Sequence, residues 1–321
     1  MVFTSSGTES NHLAILGALA MRPDRRHVIT SEVEHPSTLM LFRHLETHGV
    51  RVTYLPVDGD GRLAIDALDD TFSPDTALVS LMWANNETGV LFPIARAAEM
   101  ARARGVLFHT DAVQAVGKEP IDLRQVPVDM LSLSGHKLYA PAGIGALCVR
   151  KGLKLPPILF GHQERGRRAG TENVAGIAAL GVACAKASAS LATEPARLAA
   201  LRDQLETGVL SFAPYARVNG ARATRVANTS NVRFGDFDAE LILGRLDRLG
   251  ICASAGAACS SAGTKPSHVL TAMGLSVSAA LASIRFSLGR HNTKQEVDSL
   301  LHALAQILDE PVLRTAVLRT A

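Results

Sequence analysis

The feature that most constrains this chain is an alternation. Short β-rich runs at residues 26–30, 50–55, 77–82, 106–109 and 130–133 are separated by stretches of helical character, and each run gives way to polar residues. Strands joined by helical crossovers are satisfied by a mostly parallel sheet covered by helices, so the first part of the chain is expected to be an α/β domain. Ligands of such sheets gather beyond the carboxyl ends of the strands. There the chain places Glu34-His35, Asn85-Asn86-Glu87, Asp111 and Ser134-Gly135-His136-Lys137. A single polar strand end is ordinary, whereas this set implies one site assembled along one sheet edge.

The pattern changes further on. An Ala/Leu-rich helical region at residues 172–210, with an expected break at Pro195, leads into short strands at 229–234 and 282–288 and a helix at 294–308 with an apolar 3.6-residue period. The expected organisation is therefore a large domain over residues 1–192 and a smaller α+β domain over 193–321. With 47% hydrophobic residues in 321, the chain can build both cores. Its 33 Lys+Arg against 30 Asp+Glu leave a net charge of +3, which favours neither a nucleic-acid nor a membrane partner. Arg165-Gly166-Arg167-Arg168, the densest basic stretch, reads as a solvated or anion-holding loop. Cys148, Cys184, Cys252 and Cys259 have neither metal-site nor disulfide-framework spacing, which implies a reducing compartment and no metal. The apolar run at 13–21 has no basic region ahead of it and reads as a helix of the fold; the expected location is the cytoplasm.

Lys137 follows Asp111 by 26 residues. A lysine and an aspartate at neighbouring strand ends fit a pyridoxal phosphate enzyme, in which the amine holds the cofactor covalently and the carboxylate keeps the pyridine nitrogen protonated. Ser5-Ser6-Gly7-Thr8-Glu9-Ser10-Asn11 forms a glycine-containing turn into a helix, whose free N–H groups and hydroxyls suit a phosphate; by itself it reads equally as a helix N-cap. Gly143-Ile144-Gly145 lacks the third glycine and the distal acid of a dinucleotide loop, and reads as a turn into the next strand. His35 alone would be a core or capping histidine, whereas Arg285 on an apolar strand is costly to bury unless it meets an anion.

Taken in order, Phe3-Thr4-Ser5-Ser6-Gly7-Thr8-Glu9-Ser10-Asn11, Glu34-His35-Pro36, Asn85-Asn86-Glu87-Thr88-Gly89, His109-Thr110-Asp111-Ala112-Val113-Gln114, Ser134-Gly135-His136-Lys137, Gln163-Glu164-Arg165-Gly166 through Arg168-Ala169-Gly170-Thr171-Glu172-Asn173, Gly256-Ala257-Ala258-Cys259-Ser260-Ser261 and Ser283-Ile284-Arg285-Phe286-Ser287-Leu288-Gly289-Arg290 resemble the motifs of NifS/IscS-type cysteine desulfurases, in the class V aminotransferase family. The resemblance covers nearly the whole chain and implies a fold-type-I pyridoxal phosphate transferase that works as a homodimer. It implies that Lys137 holds the cofactor and moves the substrate α-proton, that His35 stacks on the ring, that Asp111 pairs with its nitrogen, and that Asn86 and Gln114 contact its oxygen or the substrate. Gly7, Thr8, Ser134 and His136 would hold the phosphate, with Thr171 reaching the phosphate of a second copy. Arg285 would grip the carboxylate of L-cysteine, and Cys259 would take the sulfur as a persulfide, leaving L-alanine. The sulfur would pass to an acceptor protein such as an iron–sulfur scaffold.

Two departures accompany the resemblance. Ala257 stands where the family usually has serine. The chain also begins at Met1 inside the Phe-Thr-Ser strand, so that the N-terminal segment of the family is missing and the chain is expected to be a fragment of a longer reading frame. Selenocysteine lyase, on the same scaffold, and a truncated non-catalytic relative that binds partners are the alternative readings.

Overall fold

A computed structural model of the chain describes residues 1–256 and 265–310. They form two compact units: Met1–Val57, Leu63–Asn85 and Leu91–Ala192 make the first, and Asp58–Arg62, Asn86–Val90 and the chain from Thr193 onward make the second. The two short excursions are a difference from a simple division near residue 192. Their partners explain them. Asp60 accepts from Arg222 Nε at 3.0 Å, and the Val226 amide donates to the Gly89 carbonyl at 2.8 Å. Such pairings span well over a hundred residues of sequence, beyond the reach of local periodicity.

The first unit is built on strands β1 (Val2–Thr4), β2 (His27–Ser31), β3 (Arg51–Leu55), β4 (Thr76–Met82), β5 (Leu107–Asp111), β6 (Met130–Ser134) and β7 (Gly145–Val149), in the order β1-β7-β6-β5-β4-β2-β3. β3, β2, β4, β5 and β6 run parallel, and β7 lies antiparallel to both β6 and β1. β2, β4, β5 and β6 are buried along their whole length, as strands covered on both faces must be. Helices α1 (Gly7–Met21), α2 (Pro36–Glu46), α3 (Ala67–Thr71), α4 (Ile94–Ala103), the short turn α5 (Gln163–Gly166) and α6 (Val174–Ser190) belong to this unit. Leu13 and Ile15 of α1 and Phe42 of α2 pack with Val28, Leu78, Leu107, Met130 and Leu147 from the sheet. β3 and β4 leave β2 on opposite sides, so the order reverses there, and the carboxyl ends of β2, β4, β5 and β6 lie side by side. A crevice at such a reversal is where doubly wound sheets take ligands.

The second unit contains α7 (Glu194–Phe212), β8 (Arg217–Val218), β9 (Thr229–Arg233), α8 (Ala239–Arg248), α9 (His268–Ala272), α10 (Val277–Leu281), β10 (Ser283–Ser287) and α11 (Lys294–Asp309). Its antiparallel sheet, in the order β10-β9-β8, packs Val232, Ile284 and Phe286 against Leu205 and Val209 of α7, Ile242 and Leu246 of α8, and Leu304 and Ile307 of α11. Thr293 and Glu296 close a capping box at the start of α11. The expected helix break at Pro195 falls instead between Ser190 and Glu194, and Pro195 sits in the first turn of α7. A proline there lacks only an N–H that would have no intrahelical partner, so it opens the helix rather than ending one.

Candidate active site

Four polypeptide stretches of the first unit meet at the carboxyl edge of its sheet. The start of α1 comes first. Ser6 caps the helix by accepting from the Glu9 amide, and the Ser5 amide and hydroxyl donate to Glu9 Oε2 at 2.8 and 2.6 Å. Arg168 closes a two-bond fork on Glu9 at 2.7 and 3.1 Å. Burial works to raise the Glu9 carboxyl, but hydrogen bonds from Arg168 and Ser5 outweigh it and hold the group below its ordinary value. Of the two readings of the basic stretch, solvated or anion-holding, Arg168 takes the second, its anion being the Glu9 carboxylate, and only the fold brings the two together. A Cβ on Gly7 would stand 2.8 Å from Val113 Cγ2 and 3.3 Å from Ser134 Cβ, so the helix start approaches the ends of β5 and β6 because residue 7 has no side chain. Thr8 is exposed beside it.

Asp111 ends β5 and is buried. Asn11 Nδ2, on the inner face of α1, donates to Asp111 Oδ2 at 2.7 Å, and the Val113 amide donates to Oδ1 at 3.0 Å. The same Asn11 nitrogen lies 3.2 Å from Ser37 Oγ, which in turn lies 2.8 Å from His35 Nδ1. His35 is the N-cap of α2, accepting from the Ser37 amide at Nδ1, so the capping and site readings of this residue coincide in one place. Burial pushes the Asp111 carboxyl up, against the pull of Asn11, Val113 and His35. Asn11 received no role from the sequence beyond membership of a motif, although a buried asparagine inside a helix, where it has poor propensity, was the available signal.

At the end of β6, Ser134 Oγ and His136 Nδ1 are 2.9 Å apart, and Gly135–Leu138 forms a 3₁₀ turn that leaves His136 and Lys137 exposed. Burial first, and then the Lys137 charge, lower the His136 imidazole. Gln114 Oε1 accepts from Lys118 Nζ at 2.7 Å. Thr171 is exposed, ahead of α6, and lines a small cavity of about 140 Å³ with Ser5, Arg168 and Gly170. These residues fit pyridoxal phosphate. A buried carboxylate raised by burial is the group that gains most from a cationic ring nitrogen, an exposed amine stands on the adjoining strand end, and hydroxyls surround a 15-residue helix start that only glycine allows so close.

The second unit carries the remaining candidates. Arg285, on β10, donates from Nη1 to the Asn86 carbonyl at 2.9 Å, and its backbone pairs with Ser254 in both directions. Asn86 therefore belongs with Arg285 rather than with Asp111 in the first unit. Its Oδ1 is buried and has no hydrogen-bond partner among the described residues. Glu87 is fully buried; Ser267 Oγ donates to its Oε2 at 2.5 Å, and a Cβ on Gly256 would come within 3.1 Å of the same oxygen. Burial raises the Glu87 carboxyl, while the Ser267 hydroxyl, His268 and Arg285 pull it back. Cys259 lies outside the described residues. Of the other cysteines, Cys252 is exposed and Cys148 and Cys184 are partly buried.

Comparison with known proteins agrees with this arrangement. The model of the aminotransferase class-V family matches residues 1–300. Cysteine desulfurase 2 of Trichormus variabilis (strain ATCC 29413 / PCC 7937) is 50% identical over 310 residues, which are 96% of this chain and 78% of that protein. Cysteine desulfurase NifS of Azotobacter vinelandii is 49% identical over 309 residues, 96% of this chain and 77% of its own. A solved structure described as a NifS-like protein superposes with a TM-score of 0.89 at 33% identity, covering 95% of this chain and 81% of that one. The chain therefore belongs to the class-V aminotransferases.

Proposed function

We propose that this protein is a pyridoxal phosphate-dependent cysteine desulfurase, which converts L-cysteine to L-alanine and takes the sulfur onto Cys259. The observation that carries the reading is the buried Asp111, held at both oxygens by Asn11 and Val113, next along the sheet to the strand that ends in the Lys137 turn. Pyridoxal phosphate, when bound, supplies an electron sink for the substrate carbons.

The residues of the chain do the rest. Lys137 Nζ holds the cofactor and moves the proton at the substrate α-carbon. Asp111 would favour a positive charge at the ring nitrogen, and His35, fixed as a helix cap, would lie against the ring. Gly7, Thr8, Ser134 and His136 receive the phosphate, joined by Thr171 from a second copy, and Gln114 and Asn86 contact the ring oxygen or the substrate. Arg285 offers a planar fork to the substrate carboxylate, which also fixes the direction in which its side chain points. The Cys259 thiolate attacks the substrate sulfur as the substrate Cβ–S bond breaks; the bond's electron pair stays with the carbon skeleton, which takes up a proton to become alanine, and Cys259 is left as a persulfide. A homodimer in the cytoplasm, handing sulfur to an acceptor protein such as an iron–sulfur scaffold, completes the reading.

The test is direct. Purified protein supplied with pyridoxal phosphate should be yellow and should release alanine and, with a thiol reductant, sulfide from cysteine. Cys259→Ala should bind cysteine yet form no persulfide, while Cys252→Ala should behave as wild type. Sulfur release lost in Cys252→Ala and kept in Cys259→Ala would reassign the nucleophile. Turnover of selenocysteine without turnover of cysteine would identify a lyase instead.

A further inference from the structure

Glu34 sits one residue before His35, is 1% exposed, and has no part in the reaction as read above. Its Oε1 receives two hydrogen bonds, from Ser31 Oγ at 2.7 Å and from the Met82 amide at 2.9 Å. Ser31 ends β2 and Met82 ends β4, so one carboxyl oxygen ties two neighbouring strand ends together. The same loop is held a second time by Asn85 Nδ2, which donates to the Val33 carbonyl at 3.1 Å. The segment that delivers His35 is thereby fastened to the exit of β4.

The electrostatics of this fastening are unusual. β4 meets Glu34 with the Met82 amide N–H, which does not titrate. β5 contributes Asp111, a like charge, and the loop itself contributes His35, whose charge reaches Asp111. Burial first, and Asp111 in addition, push the Glu34 carboxyl up to about 8, against the pull of Ser31 and Met82. Two carboxylates in one dry strand-end region compete, and only one of them is placed to meet the cofactor.

We propose that Glu34 is a positioning residue, one carboxyl oxygen of which bridges the ends of β2 and β4 and so holds the loop that carries His35. This rests on the reading of His35 and Asp111 as cofactor residues. A carboxylic acid and a carboxamide have the same shape and can both accept at the oxygen facing Ser31 and Met82, so glutamine should replace it and alanine should not.

The experiment compares wild type, Glu34→Gln and Glu34→Ala with two readouts. In the holoenzyme at pH 7, Glu34→Gln should keep kcat within about twofold, while Glu34→Ala should lose about tenfold or more as the His35 loop shifts. In the apoprotein, the ring-nitrogen NMR signals of His35 should keep their positions in Glu34→Gln and move in Glu34→Ala. A Glu34→Gln enzyme that also loses about tenfold in kcat, or His35 ring signals that keep their positions in Glu34→Ala, would overturn the proposal. If Glu34→Ala does not fold, the comparison of wild type with Glu34→Gln still decides it. A protein that takes up no cofactor would refute the function instead, and the apoprotein readout would still judge Glu34.

Discussion

Glu34 in the first unit and Glu87 in the second are both buried carboxyls raised by burial, yet their surroundings are opposite. Beside Glu34 the further charge is Asp111, which pushes the same way as burial. Beside Glu87, the Ser267 hydroxyl, His268 and Arg285 all pull the other way. Burial raises both carboxyls, and the neighbouring charge adds to that push in the first unit and opposes it in the second. The difference follows the work proposed for each unit. The strand ends of the first reserve Asp111 for a cationic ring, whereas the second maintains a cation, Arg285, for an incoming carboxylate. The same exclusion of charge extends down the first sheet, where burial lowers His109 to about 3 and, with Arg51, lowers His27 to about 4.

The largest test of this division removes one reactive group from each unit. Lys137→Ala should abolish turnover by more than about a thousandfold and leave the protein without covalently held cofactor. Arg285→Ala should lose turnover at low cysteine concentration but stay yellow. A colourless Arg285→Ala protein would break the assignment of cofactor to one unit and substrate anchor to the other.

Smaller, and confined to the first unit, is the effect of His109. Its Nδ1 lies 2.9 Å from Ser80 Oγ and its Nε2 2.9 Å from Ser132 Oγ, a rung across β4, β5 and β6. Below pH about 6.5 the unfolded chain takes up a proton that the folded imidazole refuses until about 3, so stability is lost as pH falls through this window. His109→Gln should reduce the loss between pH 6.5 and 4 by about 3 kcal/mol in apoprotein melts. An unchanged acid slope would show that the histidine is charged in the fold.

The smallest expected effect lies in the second unit. Arg285→Lys keeps the charge and loses the planar fork, and should raise KM for cysteine about tenfold with a lesser change in kcat. Equal KM values would move the carboxylate anchor elsewhere and sharpen the search to Asn86, which shares the Arg285 hydrogen bond.

The sequence made the parallel sheet and its strand-end chemistry legible because both are written locally, as apolar runs that stop at Glu34-His35, Asp111 and the Ser134–Lys137 turn. What it hid depends on partners far away. Nothing near Asn86 marks its place beside Arg285, which lies 199 residues on, and nothing near Glu9 announces Arg168. Glu34 reads only as one polar member of the strand-end set, without a role of its own, until β4 is laid beside β2. Pro195 was visible but ambiguous, since proline marks both the close of one helix and the opening of the next, and only the position of the turn at residues 191–193 decides between them.

Gly145, the first residue of β7, has consequences for how this chain tolerates mutation. A Cβ there would lie 2.6 Å from the Ser6 carbonyl carbon and 2.7 Å from its oxygen, both backbone atoms that cannot swing aside. Even alanine must displace the cap of α1, and with it the amides proposed to hold the phosphate. Gly181 in α6 and Gly244 in α8 have open space at the same point, and alanine at either should gain up to about 1 kcal/mol of helix propensity. Saturation mutagenesis scored by cofactor retention would then leave position 145 nearly empty while filling 181 and 244. Among residues of one chemical type, genetic fragility would thus map where the backbone crowds the start of α1.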